Sequence, residues 1–207
     1  MTDGDPAGWR SRTAASAPPA GDDADRFPVV DSHVHYEGVM STVRVDEVRM
    51  PGGDVATREV AHRPDAVAVV PLTAADEVVL VRQYRHAVRR YELEIPAGLL
   101  DVEGESEDEA AQRELAEEIG MTAGRLELLT RFWNSAGWTN ESTTVFVGHD
   151  LQPSTPDDFV AEAEEADMAV LRVPLAEAIA RARSGEIADA KTVIGLLLVA
   201  GCGHHGA

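Results

Sequence analysis

Residues 98–121 read "GLLDVEGESEDEAAQRELAEEIGM", and nine of these 24 positions are Asp or Glu. Ser106 followed by Glu109 forms a capping box, in which each residue satisfies a backbone N–H group at the start of a helix. Gly120 ends the pattern, as glycine commonly does just past a helix. The stretch therefore predicts a short helix from about residue 107 to residue 119.

Three glutamates border the apolar face of this predicted helix. At about 100° per residue, the apolar face is formed by Ala111, Leu115 and Ile119. Glu114, Glu117 and Glu118 are spaced i, i+3 and i+4 and lie at its edge. Like charges this close repel unless they are protonated, paired with arginine or neutralised by a cation, and hard oxygen ligands suit Mg²⁺ or Mn²⁺. The spacing alone leaves a solvated charged helix and a metal site as alternatives.

The loop before the helix completes a known motif. Gly98 is followed after six residues by Glu105, and after seven more by the run "RELAEEIGM" that starts at Arg113. This resembles the Nudix box, in which five residues rather than six follow the glycine. The extra residue lies in the loop and leaves the helical spacing of the glutamates unchanged. The longer spacing, with "PAGLLDV" and "REL", resembles the actinobacterial ADP-ribose pyrophosphatases of the Nudix hydrolase family.

The resemblance extends over about residues 30 to 200, through stretches such as "VRMPGGDVATREV", "VRQYRH" and "SGEIADAKTVIGLLLVA". It implies an α/β fold, the Nudix α/β/α sandwich with a mixed β-sheet, plus a small N-terminal β-subdomain that is used in dimerisation. We therefore expect a homodimer. We expect three parts of the chain, namely a mobile N-terminal extension at 1–26, the β-subdomain at 27–66 and the Nudix hydrolase domain at 67–203.

The resemblance also implies roles for the residues of the box. Glu114 and Glu118 would ligate Mg²⁺, or Mn²⁺, with Glu117 close by and the backbone carbonyl of Ala97 completing the coordination. The implied reaction is attack of water on a pyrophosphate phosphorus of ADP-ribose, which releases AMP and ribose 5-phosphate.

Further residues carry over with supporting roles. Glu105 and Arg113 would orient the metal ligands. The family keeps a catalytic base on a later acidic loop, which matches "EAEEAD" here. We assign the base to Glu164, with Glu162 and Glu165 as alternatives.

Three residues are candidates for contacting substrate. Arg85 ends a predicted strand, where its planar guanidinium suits a phosphate or ribose, or else an ion pair at the surface or an interface. Glu94 precedes "IPAG" and could bind a sugar or adenine, or only anchor the loop. Gly98 permits the backbone to approach a ligand closely.

The loop "WNSAGWTNE" bears on the choice of substrate. Gly137 is kept as a candidate substrate-binding residue, but Ala136 stands where ADP-ribose enzymes commonly carry proline. This difference leaves other nucleoside diphosphate sugars open as substrates. Trp133 and Trp138 could stack on a base, although strand aromatics belong more often to the core.

The composition limits partners and compartment. The net charge of −19 argues against nucleic acid and anionic membranes as partners. The apolar run 193–200 is much shorter than the roughly 20 residues of a membrane span. The N-terminus lacks the pattern of a secretory signal, so we expect a cytoplasmic protein. One cysteine excludes an internal disulfide.

The rest of the chain alternates short β-like runs with two late helices. Runs between residues 27 and 62 predict a small β-meander with "MPGGD" as a hairpin turn, and "DAVAVVPLT" with "EVVLVRQYRHAV" predicts the central sheet. "MAVLRVP" predicts a strand, and "LAEAIARARSG" and "ADAKTVIGLLLVAG" predict helices.

Two other functions compete with Nudix hydrolysis. His33 and His35 in "VVDSHVHYEG" resemble the first metal ligands of amidohydrolases, but those enzymes need a full eight-stranded barrel, for which this chain is too short. Some Nudix-like domains bind nucleotides as sensors without hydrolysis. Those usually have eroded boxes, whereas this box keeps its arginine and glutamates.

Overall fold

The computed structural model describes residues 25–154 and 167–201. Within them the elements follow in the order β1 Val29–Glu37, β2 Thr42–Arg49, β3 Val55–His62, β4 Ala66–Pro71, β5 Glu77–Arg85, β6 Arg90–Glu94, β7 Ala97–Leu99, α1 Glu107–Ile119, β8 Met121–Trp133, β9 Ser142–Pro153, β10 Ala169–Pro174, α2 Leu175–Ser184 and α3 Ala190–Gly201. None of the helices in these segments is both long and apolar enough to cross a membrane.

The strands form three hydrogen-bonded sheets, in the orders β7-β4-β9-β8, β10-β5-β6 and β1-β2-β3. The four-stranded sheet is mixed, because β4 runs parallel to β9 while β7 and β8 run antiparallel to their neighbours. The prediction that β4 and β5 share one central sheet is wrong. An isolated bridge between Leu72 and Val78 links them, and β5 pairs instead with β6 and β10. Apolar alternation identifies strands but does not specify their partners.

Helices cover both sides of these strands. Alternate residues of a strand point to opposite faces, so Val70 packs in a core cluster with Leu196 of α3, whereas Val69 packs in a second cluster with Leu115 of α1. Both clusters contain side chains that are fully buried. The predicted α/β/α sandwich with a mixed sheet is therefore confirmed.

Helix α1 begins and ends where the sequence predicts. The Ser106 hydroxyl accepts a hydrogen bond from the Glu109 N–H, and the Glu109 carboxylate accepts one from the Ser106 N–H at 2.9 Å, which completes the capping box. Gly120 closes the helix at φ 65°, a left-handed conformation that glycine adopts without strain. The caps fix where α1 begins and ends, and the apolar stripe that packs in the core through Leu115 fixes where its glutamates point.

The N-terminal sheet is an antiparallel meander whose β2–β3 turn is the predicted "MPGGD". Strand β1 is exposed along its whole length. His33 there contacts the Asp31 carboxylate at 3.0 Å. Because β1 starts an antiparallel sheet rather than a parallel barrel, the amidohydrolase interpretation is wrong.

Candidate active site

An open cleft of about 510 Å³ lies where β7 meets the glutamate-bearing side of α1. It brings together seven of the residues singled out from the sequence, namely Arg85, Ala97, Gly98, Arg113, Glu114, Glu117 and Glu118. Strand β7 pairs with β4, and α1 packs on the same strand through Leu115. The sheet therefore holds the short strand against the glutamates in the last two turns of α1.

Burial raises the affinity of two of these carboxyl groups for protons. Glu114 is 8% exposed, and its burial raises the pKa to about 7 although the charge of Arg113 opposes the shift. Burial raises the pKa of Glu118 to about 8, even though its carboxylate accepts a hydrogen bond from the Ala97 N–H at 3.0 Å. Carboxyl groups placed in this way favour either a proton or a cation as a partner.

Arg113 organises the acidic side of the cleft. Its guanidinium donates to both oxygens of Glu105 at 2.9 Å, and to Glu114 at 2.5 Å and Glu117 at 3.3 Å. It also donates to the Leu99 carbonyl at 3.3 Å. The hydrogen bonds to Glu105 are the main cause of the raised pKa of Arg113. The arginine therefore connects the loop to the helix.

Gly98 makes room for the Glu114 carboxylate. A Cβ atom added at Gly98 would overlap the carboxylate of Glu114, so only glycine leaves that group in its present place. The backbone of Gly98 does not lie in the left-handed region. The requirement for glycine is therefore one of space and not of backbone conformation.

The donor set suits a hard divalent cation. Glu114, Glu117 and Glu118 offer carboxylate oxygens, and the space beside Gly98 holds one of these groups against the strand. In the described segments, no three His, Cys, Asp or Glu side chains converge on a single point as a completed cation cage does. Glu114 contacts Arg113 instead, and Glu118 accepts a hydrogen bond from the Ala97 N–H. The oxygen donors present fit Mg²⁺ or Mn²⁺, because both are hard cations that prefer oxygen ligands.

These pKa shifts predict a pH-dependent effect of metal on stability. Folding raises the pKa of Glu114 from 4.5 to about 7 and that of Glu118 to about 8. The free energy of unfolding of the metal-free protein therefore falls as the pH rises through that range, because the buried carboxyl groups lose their protons. A divalent ion binds the deprotonated groups. The rise in Tm on adding Mg²⁺ should therefore be larger at about pH 8.5 than at about pH 6. Thermal denaturation at both pH values checks this, and an equal or smaller rise at the higher pH would contradict it.

Glu94 is the centre of a buried ion-pair network behind the cleft. It is 1% exposed and accepts hydrogen bonds from Arg85 at 2.6 and 2.7 Å and from Lys191 at 2.5 Å. Burial alone raises the pKa of Glu94, but the hydrogen bonds and charges of Arg85 and Lys191 outweigh it and the pKa is lowered. Asp189 also accepts from Lys191, at 2.9 Å. Because both Glu94 oxygens bond these cations, Glu94 occupies the anchoring position rather than a place in the cleft lining.

Replacing Glu94 with alanine should strongly destabilise the fold. The change leaves two partly buried cations without their shared partner, which typically costs about 3–5 kcal/mol in the free energy of unfolding. Urea denaturation measures this quantity. The control is Glu177→Ala, which removes an exposed pair with Arg181 and should cost less than about 1 kcal/mol. Equal losses in the two variants would show that the buried network adds no stability.

Several candidates lie elsewhere. Gly137 and Ala136 occupy an exposed turn between β8 and β9 and do not line the cleft. Trp133 and Trp138 flank this turn and are 44% and 46% exposed, so the expectation that they belong to the core is wrong. The base candidates Glu162, Glu164 and Glu165 lie outside the described residues.

Gln83 and Lys191 are two of the cleft-lining residues that were not predicted from the sequence. Gln83 lies on β5 and Lys191 at the start of α3, and both face the cleft. A signal for Gln83 exists, since positions 79, 81, 83 and 85 of "EVVLVRQYR" share one strand face and change there from valine to polar residues. Lys191 has no comparable local signal.

Comparisons with known proteins agree with this geometry. A model of the NUDIX domain matches residues 62–193. The chain is 38% identical over 173 residues to an ADP-ribose pyrophosphatase of Mycobacterium tuberculosis, covering 84% of this chain and 83% of that protein. It is 35% identical to an ADP-ribose pyrophosphatase of Bacillus subtilis, covering 76% of this chain and 83% of that protein.

A solved structure described as an ADP compounds hydrolase superposes on this chain with a TM-score of 0.74 at 27% sequence identity. The match covers 85% of this chain and 93% of the other. Nudix hydrolases generally use divalent metal ions, which is consistent with the oxygen donors in the cleft. With the Nudix box on α1 and relatives that match most of its length, the chain belongs to the Nudix hydrolase family.

Proposed function

We propose that this Nudix hydrolase cleaves the pyrophosphate bond of ADP-ribose and releases AMP and ribose 5-phosphate. The names of the relatives from Mycobacterium tuberculosis and Bacillus subtilis support this substrate. The observation that carries the proposal is the cleft in which Glu114, Glu117 and Glu118 lie beside Gly98. The chain has a net charge of −19, so an anionic substrate requires local positive charge.

Glu114 and Glu118 would hold Mg²⁺, or Mn²⁺, with Glu117 close by and the Ala97 carbonyl as a further ligand. When bound, such an ion neutralises the diphosphate, polarises it and lowers the pKa of water. Glu105 accepts two hydrogen bonds from Arg113 and holds it in place. Arg113 in turn donates to Glu114 and Glu117 and keeps these glutamates oriented. Arg85 lines the same cleft and can offer a guanidinium group to a phosphate oxygen.

Glu164→Gln tests the proposed catalytic base. If Glu164 takes the proton from the attacking water, the variant should lose about 10²- to 10⁴-fold in kcat. It should bind Mg²⁺ nearly as the wild type does, because the base is not among the proposed metal ligands. Glu162→Gln and Glu165→Gln are matched controls on the same acidic segment. A full loss of kcat in one of them instead would move the assignment to that residue.

The N-terminal sheet, within the proposed subdomain 27–66, is proposed to form a homodimer with a second copy of the chain. Apolar side chains stand exposed on β1 and after it, including Val34 at 61%, Tyr36 at 59% and Val39 at 100%. Exposed apolar groups gathered on one element are typical of interaction surfaces. Light scattering tests this. The wild type should have the mass of a dimer, and Val34→Asp should shift towards the monomer.

Release of AMP from ADP-ribose in the presence of Mg²⁺ is the direct test of the proposed reaction. A panel of other nucleoside diphosphate sugars run beside it distinguishes the second candidate, a pyrophosphatase for another member of that class, which Ala136 leaves open. Binding of ADP-ribose without turnover would favour a sensor instead.

A further inference from the structure

Gln83 continues the inward face of β5 beyond the core. Val79 and Val81 on this face are buried in the cluster that contains α1, and the next two positions on the same face are Gln83 and Arg85. Both of these polar residues line the cleft. The strand therefore passes from the apolar core into the active-site cleft between residues 81 and 83.

The carboxamide of Gln83 is buried and incompletely satisfied. The residue is only 7% exposed, and its Oε1 atom has no hydrogen-bond partner in the described part of the chain. Leaving a buried acceptor unpaired costs stability, so such a group in a cleft indicates a ligand that pairs with it. A fully ionised phosphate, such as either phosphate of a diphosphate diester, offers only acceptors, whereas a hydroxyl both donates and accepts and can pair with the amide in either of its orientations.

Arg85 and Lys191 are two of the four cationic side chains that line the cleft, beside Arg63 and Arg113. Arg85 uses Nε and Nη2 to bind Glu94, which leaves its second terminal nitrogen for a ligand. Lys191 gives two of its three N–H groups to Glu94 and Asp189, and its side chain is 14% exposed. Their shared carboxylate partner holds both cations in place, so a phosphate would meet groups that are already oriented.

We propose that Gln83, Arg85 and Lys191 form a phosphoribosyl subsite, in which the two cations bind a phosphate and Gln83 hydrogen-bonds a sugar hydroxyl. Alternate residues of a strand are about 6.6 Å apart, a span that a sugar ring carrying a phosphate can bridge. This inference rests on the proposed function, since ADP-ribose contains a phosphoribosyl group in each half. The proposed contacts with a phosphate and a sugar hydroxyl are the same whether the subsite binds the adenosine half or the terminal ribose half of ADP-ribose.

The test measures binding of single ligands without turnover. Ribose 5-phosphate, AMP and inorganic phosphate are titrated separately into the metal-free full-length protein, with protein NMR signals as the readout for weak binding. Gln83→Leu should lower the affinity for either ribose 5-phosphate or AMP about tenfold and leave that for inorganic phosphate unchanged. The ligand that is affected identifies the half of the substrate. Lys191→Met should lower the affinity for inorganic phosphate as well as for the sugar phosphate, because it removes one of the two cations that would bind the phosphate.

Stability and a neighbouring variant separate binding from folding. Gln83→Leu removes an unpaired buried acceptor, so its Tm should equal or exceed that of the wild type. Arg82→Leu, the adjacent residue on the opposite face of β5, should leave all three affinities unchanged.

Two results for Gln83→Leu would refute the subsite: unchanged affinity for both ribose 5-phosphate and AMP, or an equal loss of affinity for ribose 5-phosphate, AMP and inorganic phosphate. Failure of the wild type to bind either ribose 5-phosphate or AMP saturably would also refute it. Hydrolysis of ADP-ribose is assayed on the same wild-type preparation. If the wild type does not hydrolyse ADP-ribose but Gln83→Leu still shows the expected loss of affinity, the proposed function is rejected and the subsite is kept.

Discussion

Glu118→Gln is expected to reduce kcat for ADP-ribose hydrolysis by about a thousandfold. The change keeps the shape of the side chain and its capacity to accept from the Ala97 N–H, but removes the charge that would ligate the cation. Loss of the charge stabilisation that a bound divalent ion supplies amounts to several kcal/mol, and each 1.36 kcal/mol is tenfold in rate. Steady-state kinetics across a Mg²⁺ titration measure the effect.

Asp108→Asn is the matched control for this variant. It removes one carboxylate from the exposed first turn of the same helix, away from the cleft lining. Its kcat should stay within about twofold of the wild type, since surface charge changes of this kind have small effects. Wild-type turnover in Glu118→Gln would remove Glu118 from the metal site.

Gly98→Ala is expected to lower kcat/KM by about 10²- to 10³-fold while the protein stays folded. The added Cβ would displace the Glu114 carboxylate, and a misplacement of about 1 Å at a reacting centre costs on the order of a hundredfold. The atoms that must move are the end of a flexible side chain, and the backbone at residue 98 is outside the left-handed region. The Tm should therefore change little, and calorimetry beside kinetics separates the two effects.

Gly137→Ala provides the control for Gly98→Ala. A Cβ at Gly137 meets nothing within 4 Å, and the turn lies away from the cleft lining. Its activity and Tm should both match the wild type. If Gly98→Ala is as active as Gly137→Ala, the Glu114 carboxylate does not need its present place for catalysis.

The helix and its glutamates could be predicted from the sequence because their determinants are local. The capping box, the left-handed Gly120 and the i, i+3, i+4 spacing all lie within 15 residues, and α1 has the predicted bounds. The contact of Glu118 with Ala97 follows less directly, since it depends on the pairing of β7 with β4. Local patterns therefore specified the donor groups, while the sheet brought them to the loop.

The rest of the site depends on contacts between distant residues. Glu94 meets Lys191 across 97 positions of the chain, and no local pattern in either segment indicates the pair. The burial that raises the pKa of Glu114 likewise comes from packing of the helix on the sheet. Gln83 could have been found from strand alternation, but its unpaired oxygen is a property of the folded cleft alone.

Crystallography with Mn²⁺ and a non-hydrolysable ADP-ribose analogue tests the central claim most directly, because the anomalous signal of manganese locates the ion without assumptions about the side chains. We expect the manganese peak between the carboxylates of Glu114 and Glu118 and the Ala97 carbonyl, in contact with the diphosphate. A fully occupied analogue with its diphosphate away from α1, and no manganese peak at these glutamates, would contradict the account.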